Sequence, residues 1–409
     1  MAGRIWERWE EPVKISIAAT NPCHLFPLAL ELARAEALGC YYSGYPAWKL
    51  AAPPGLPVRT HSFRTTLVYG ALKYVPAPVR PSPRSLFLWQ DHGFDAWVGR
   101  RLAKCDFLHA MPGQALRGFE RARRLGVRTV LNHATGPVRE WVRIMEPEYR
   151  RVGLRLTDWC AYDEAYFARE VLEYALADFH CAASTVVRDQ LIASGIPKEK
   201  IWVVGYGADP NIFHSRDRIR PERFRIVFAG QIGLRKGVST LLAALRQLNR
   251  PDWEMYFYGG VAPEAQHDLS SYLGSSPTTF HVPLGASRWF SPANSNWSRL
   301  FFKGSLPQRA LANAFRRASV LVLPSLEEGF GLVVPQALNC GLPCIVSDRV
   351  GGKDLIRHRE NGSIFPCGDP GALAEELAWW ESHWHPVDET HGWEKPAREI
   401  VEQSMKVEL

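Results

Sequence analysis

Residues 320–348 read VLVLPSLEEGFGLVVPQALNCGLPCIVSD. Val320 to Leu323 is a short apolar run closed by Pro324-Ser325. The acids Glu327 and Glu328 follow, then Gly329-Phe330-Gly331, and an apolar pattern of helical spacing runs on to Cys340-Gly341. A second apolar run ends at Asp348. A strand covered on both faces shows no polar alternation, so two such runs joined by a helix describe a parallel strand–helix–strand unit. The acids and glycines fall where the strand hands over to the helix. Open parallel sheets bind their ligands at that end of their strands.

The same alternation extends outward through the chain. VKISIAA, SLFLW, DFLHA, RTVLNH, DFHCAAS and IWVVGYG read as strands in the first half, and FRIVFAG, EMYFYGG, TTFHV, SVLVLPS and PCIVSD in the second. LFPLALELARAEAL, QALRGFERARRLG and STLLAALRQL read as helices. A chain of 409 residues is too long for one core. The pattern therefore predicts an α/β protein of two doubly wound domains. The expected division is 1–207, 208–380 and a tail, 381–409, containing a helix. The boundary follows the polar, proline-bearing stretch GADPNIFHSRDRIRPERF, residues 207–224. Residues 284–307, LGASRWFSPANSNWSRLFFKGSLP, read as an irregular surface excursion.

Composition narrows the class. Hydrophobic residues make up 46% and charged residues 22%, ordinary for a globular protein. No window has the ~18 uninterrupted apolar residues of a membrane span. The start, MAGRIWERWEEPVKISIAAT, lacks a secretory pattern, so a cytoplasmic protein is expected. The eight cysteines include no Cys-x-x-Cys pair and sit mostly in apolar runs, as buried thiols do in a reducing compartment. The net charge of +7 is uneven: residues 1–210 hold 27 Lys+Arg against 21 Asp+Glu, and the remainder is nearly balanced. No nucleic-acid-binding signature accompanies this bias. The basic, proline-rich segment VPAPVRPSPR, 75–84, is either a solvated loop or a contact for an anionic acceptor or a membrane surface at the inner face.

Two turns carry the chemistry. In FAGQIGLRKGVSTLLAAL, Gly230 and Gly233 allow close backbone approach, and Arg235, Lys236 and Gly237 open a helix. Free N–H groups beside two cations suit a diphosphate. In the opening stretch, Glu327 reads as a helix cap. Glu328, with space cleared by Gly329 and Gly331, reads as an acceptor for hydroxyl protons, and the N–H groups of Phe330, Gly331 and Leu332 are expected at the helix start.

The pair of turns, Gly-x4-Arg-Lys-Gly and then Pro-Ser-x-x-Glu-Gly-Phe-Gly-Leu-Val with CGLPCIVSD, resembles the retaining glycosyltransferases of family 4. The resemblance implies the GT-B fold, two Rossmann-like domains facing across a cleft, and a tail helix crossing back to the N-terminal domain. It implies transfer of a sugar from a nucleotide diphosphate sugar to a hydroxyl acceptor on a glycan, glycolipid or small molecule. It also implies that Arg235 and Lys236 bind the donor diphosphate and that Glu328 binds the donor sugar. No Asp-x-Asp is present to carry a metal, and no cofactor is expected; the cations would stabilise the leaving phosphate instead. The family pattern Glu-x7-Glu is broken, because Gln336 occupies the ribose-binding position. A carboxamide accepts from one ribose hydroxyl where a carboxylate accepts from two, a loss of ~1 kcal/mol.

The N-terminal half offers three histidines. His133, in VLNHATG, corresponds to a histidine that lies near the reacting carbon in the family. His24, in AATNPCHLFP, and His92, in WQDHGFD, are candidates for the acceptor side. Gln336 and the lack of a Gly-Gly turn after the first strand leave a second reading open: a nucleotide-sugar-binding subunit or sensor without turnover.

Overall fold

The computed structural model describes residues 13–158, 163–248, 252–265, 269 and 299–408. Strands β1 (Ile15–Ala19), β2 (Leu38–Ser43), β3 (Val58–Thr60), β4 (Phe107–Ala110), β5 (Arg128–His133), β6 (Phe179–Ala182) and β7 (Ile201–Val203) form a first sheet in the order 3-2-1-4-5-6-7. Strands β8 (Phe224–Ala229), β9 (Trp253–Tyr258), β10 (Leu300–Phe302), β11 (Val320–Leu323), β12 (Cys344–Ser347) and β13 (Gly362–Phe365) form a second, ordered 10-9-8-11-12-13. Every pairing between these strands is parallel. In both sheets the strand order reverses beside the first strand of the domain, which opens a crevice at the carboxyl ends there.

The unbroken apolar runs are buried throughout: β8 ends in four buried residues, and β11 and β12 are wholly buried. Helices cover both faces because a parallel strand can return only by a crossover. Local chemistry sets their ends. Ser184 and Asp163 cap the helices Thr185–Ala193 and Glu164–Leu176 by accepting from Val187 N and Tyr166 N. Asp369 caps Pro370–Ser382, with proline at the first helical position.

Two sequence expectations are corrected, and two strands were not read from the sequence. SLFLW is not a strand; it lies in the helix Pro83–Arg101. Ser82 accepts from Ser85 N and Pro83 starts the helix, and the buried positions Gln90, Phe94 and Val98 follow a helical stripe that a five-residue window does not show. The excursion at 284–307 contains a strand, β10, at its end; residues 284–298 and the expected strand TTFHV lie outside the described residues. The strands β2 and β3 lie between the helical patterns, where the apolar pattern is short and mixed.

The chain passes between the two domains twice. After helix Pro370–Ser382 it runs back along the second domain, with Trp384 Nε1 donating to Ser319 O (2.9 Å) and Val387 N to Gly341 O (3.1 Å). It then crosses, and helix Glu394–Glu408 buries Ala397, Ile400 and Val401 against Leu25, Leu28 and Leu32 of helix Leu25–Arg34. Both crossings touch: Ala208 N donates to His391 O (2.8 Å), and a Cβ on Gly207 would lie 2.3 Å from Gly392 O.

Candidate functional site

The site is built where the turn after β8 meets the turn after β11. Beyond Gly230 the chain passes Gly233, makes the 3-10 turn Leu234–Lys236, and reverses at Gly237 before helix Val238–Gln247. Gly237 has φ 62°, and a Cβ there would lie 2.0 Å from Pro324 O. Both the left-handed backbone and the contact require glycine. The close approach lays Arg235 and Lys236 over the end of β11.

Arg235 Nη1 donates to Glu327 O (2.9 Å) and lies 3.3 Å from Glu327 Oε2 and 3.2 Å from Glu328 Oε2. Lys236 Nζ donates to Glu328 Oε2. Leu326 N donates back to Arg235 O (2.8 Å), which locks the turns together. Two cations and two carboxylates thus form one partly buried network. Burial lowers the Lys236 ammonium to about 7, the neighbouring Arg235 charge adds to the fall, and Glu327 opposes it. Glu327 is buried. It is not the helix cap read from sequence but a counter-ion beneath Arg235. Holding that charge there orients the guanidinium.

The helix of this turn is Val333–Asn339, with Leu332 at its N-cap. It starts later than expected, because Gly331 has φ 84° and Phe330 serves another purpose. The Phe330 ring is buried and packs on Tyr206 at 5.0 Å. Phe330 O accepts from Gly352 N. Phe330 and Gly331 are therefore structural parts of the turn that precede the helix. Gln336 is half-buried on the helix, facing away from the fully buried Val334, Ala337 and Leu338.

The first domain contributes the opposite wall. Ser184 Oγ donates to Gly329 O (2.6 Å), and a Cβ on Gly329 would meet Ala134 O at 2.0 Å. Thr185 donates through N to Asp354 Oδ2 (2.7 Å) and through Oγ1 to Asp354 Oδ1 (2.5 Å). The Ser184-Thr185 pair at the end of β6 thereby grips the second domain beside Glu328. Sequence reasoning missed it, although its Ser-Thr cap signature after DFHCAA was legible.

The three histidines part company. His133 ends β5 but turns into the helix layer, where its Nε2 lies 3.0 Å from His180 Nδ1 and its ring packs edge-on against Tyr174. Burial and His180 hold its pKa well below the ordinary value, so it is a neutral, enclosed imidazole. Only the backbone after it, at Ala134 and Thr135, reaches Gly329. His24 is buried, stacks on Tyr206 at 4.3 Å, and is pushed down to about 4 by burial. Through Tyr206 it joins the wall behind Phe330 rather than the cation network. His92 is exposed on helix Pro83–Arg101; burial of part of the ring, then Arg169, lowers its pKa. Its neighbour Asp91 is the more enclosed group: burial raises its carboxyl to about 6, and the nearby Thr20, at the end of β1, and Gln90 oppose the rise. Thr20 also donates through N and Oγ1 to Gln114 Oε1 (2.7 and 2.6 Å). Sequence reading chose the histidine of WQDHGFD because its pKa is ordinarily nearest neutrality; burial moved the aspartate instead.

Among the described residues, no group of three or more His, Cys, Asp or Glu is placed to hold a metal ion, and the described cysteines are free thiols.

Residues 223–381 match the family model described as glycosyl transferases group 1. The chain is similar to a D-inositol 3-phosphate glycosyltransferase of Catenulispora acidiphila, 30% identical over 52% of this chain and 51% of that protein. It is also similar to a GDP-mannose-dependent alpha-mannosyltransferase of Mycobacterium tuberculosis, 29% identical over 62% of this chain and 57% of the relative. The chain thus spans about half the length of the curated relatives it matches. Among solved structures it resembles Anabaena HepE in complex with UDP, with a TM-score of 0.59 and 16% identity over 96% of this chain and 95% of that one. A sucrose-phosphate synthase of Thermosynechococcus elongatus gives a TM-score of 0.58 with 19% identity over 97% of both chains. The fold is GT-B.

Proposed function

We propose that the protein is a retaining, metal-independent glycosyltransferase that moves a sugar from a nucleotide diphosphate sugar to a hydroxyl acceptor. The observation that carries this reading is the Arg235–Lys236–Glu328 network at the adjoining carboxyl ends of β8 and β11, inside the segment that matches the family model. The donor diphosphate takes the cations, and Glu328, released from Lys236, accepts hydrogen bonds from the sugar hydroxyls. As the bond between the anomeric carbon and the diphosphate oxygen breaks, negative charge grows on that oxygen beside Arg235 and Lys236. The acceptor oxygen bonds the anomeric carbon from the same face, and its proton passes to the leaving diphosphate. No cofactor takes part. Gln336 faces the ribose, and the acceptor is a glycan, a glycolipid or a small molecule. The names of the relatives, among them an amylovoran biosynthesis glycosyltransferase, support a setting in glycan assembly.

A binding subunit without turnover is the second reading. It is favoured by Gln336 and by the enclosure of His133, which removes the one N-terminal imidazole nearest the Gly329 turn.

A panel of nucleotide sugars scored by thermal shift tests the donor site, since a ligand at 100 times its Kd adds ~2.7 kcal/mol. One nucleotide sugar is expected to stand out, and transfer or slow hydrolysis of that donor in EDTA separates enzyme from sensor. If neither a nucleoside diphosphate nor a nucleotide sugar raises the melting temperature, the site is misassigned.

A further inference from the structure

Helix Phe63–Tyr74 carries its apolar side outward. Its buried residues are Thr65 and Val68, whereas Phe63, Leu67 and Tyr74 are 64%, 48% and 75% exposed. Positions 63, 67, 70 and 74 follow the i, i+4, i+7, i+11 spacing of one helix face. The apolar surface continues into the next turn, where Val75 and Val79 are exposed. Arg80 Nη1 donates to Leu72 O (2.9 Å) and folds that proline-rich turn back against the helix end. A contiguous apolar stripe of this kind marks an interaction surface rather than ordinary scatter.

The stretch of chain that carries it has cations and no acids. From Ala37 to Gln90 the sequence contains no Asp or Glu, but it contains Lys49, Arg59, Arg64, Lys73, Arg80 and Arg84. Arg84 is paired with Asp163 from outside this stretch. Lys73 lies over the exposed Tyr74 ring at 5.1 Å, and Lys49 over the exposed Trp48 ring at 4.7 Å. Exposed Phe63, Leu67 and Tyr74 with Lys73 beside them on the helix match the boundary between lipid headgroups and acyl chains, and Trp48 and Lys49 repeat the same aromatic–cation pairing nearby in the chain.

We propose that this face docks the protein on an anionic membrane surface. The rings and Leu67 enter the headgroup boundary, and the cations meet anionic headgroups. Docking is peripheral: no helix among the described residues is long and apolar enough to cross a membrane. The helix that carries the stripe reaches the carboxyl edge of the first sheet. Tyr69 OH lies 3.5 Å from Asn21 Oδ1, in the loop that follows β1 at the carboxyl edge of the first sheet. A lipid-borne hydroxyl acceptor would then enter from the first-domain side. That last consequence rests on the proposed transfer; docking itself does not.

The test is flotation of the full chain with vesicles of phosphatidylcholine, alone or with about one third phosphatidylglycerol. The protein is expected to float with the anionic vesicles only, and to leave them at 1 M salt, where the Debye length falls to about 3 Å. Lys49→Glu with Lys73→Glu should weaken partition by more than tenfold, since each lost cation alone costs roughly fivefold. Leu67→Ser with Tyr74→Ser should do likewise with an unchanged circular dichroism spectrum. As an independent reading, Leu67→Cys carrying an environment-sensitive dye should shift to the blue on anionic vesicles. Failure of the wild type to float, flotation indifferent to both double variants, or an unshifted dye overturns the proposal. So does a concentration-dependent dimer that the same variants abolish, because the face would then be a protein interface.

Discussion

The Lys236 ammonium donates a hydrogen bond to the carboxylate of Glu328 across the junction of the β8 and β11 turns. The two groups are each other's counter-ions, and Arg235 Nη1 stands 3.2 Å from the same carboxylate oxygen. Under the proposed function, a diphosphate entering this network would trade one carboxylate for a stronger anion and free Glu328, so that binding of the phosphates and presentation of the acid to the sugar would be one event.

Arg235→Ala and Lys236→Ala are each expected to lower kcat/KM by ~10²-fold or more, since in the proposed reaction both cations face charge that grows in the transition state. Lys236→Ala should also weaken binding of the nucleoside diphosphate alone. Steady-state kinetics with a folded-state check decide the matter; turnover near wild type in both single variants removes them from the site.

Glu328 and Gln336 should respond in opposite directions. Glu328→Gln removes the charged acceptor, so the loss should appear with the full nucleotide sugar and little with the nucleoside diphosphate. If Gln336 faces the ribose as proposed, Gln336→Glu supplies a second ribose acceptor and should tighten either ligand by up to ~1 kcal/mol. Calorimetric titration of both variants with both ligands separates the cases, and abolished binding in Gln336→Glu contradicts the ribose assignment.

Gly329→Ala should force the domains apart. Its Cβ would press on Ala134 O at 2.0 Å and Thr135 Cα at 2.7 Å, both backbone atoms that cannot turn aside. The variant is expected to show a larger radius of gyration by small-angle scattering and a lower kcat. An unchanged radius would mean that the closed contact at Gly329 is not what holds the domains together.

His24 makes stability depend on acidity. Burial lowers its pKa from 6.5 to about 4, so between those values the unfolded chain binds a proton that the folded chain does not. Unfolding is then favoured as pH falls, and stability rises with pH through this window. The contribution lost at pH 5 relative to pH 7 is about 2 kcal/mol. His24→Gln should flatten the pH dependence of the urea midpoint between pH 7 and 5; an unaltered slope would show that this imidazole does not carry it.

The strand pattern made the two doubly wound domains legible, because continuous apolar runs have one economical arrangement: parallel strands with helices on both faces. Gly230, Gly233, Arg235, Lys236 and Glu328 were legible for a similar reason. A strand-to-helix turn imposes residue types locally, and glycines beside cations or an acid advertise a ligand. Four things needed the tertiary structure. SLFLW lies in a helix because Ser82, Pro83 and the burial of Phe94 and Val98 outweigh a run of four apolar residues. Glu327 serves Arg235, from which it is 92 positions distant, so no local window could separate a counter-ion from a cap. His133 faces His180 and Tyr174, and only the register of β5 on β6 decided that its ring would point into the helix layer. Ser184 and Thr185 reach Gly329 and Asp354 from another domain. Residue types at turns are set by backbone geometry within a few positions. Burial and partnership are set by where distant elements pack, and that is where the pKa values and the counter-ions of this site were decided.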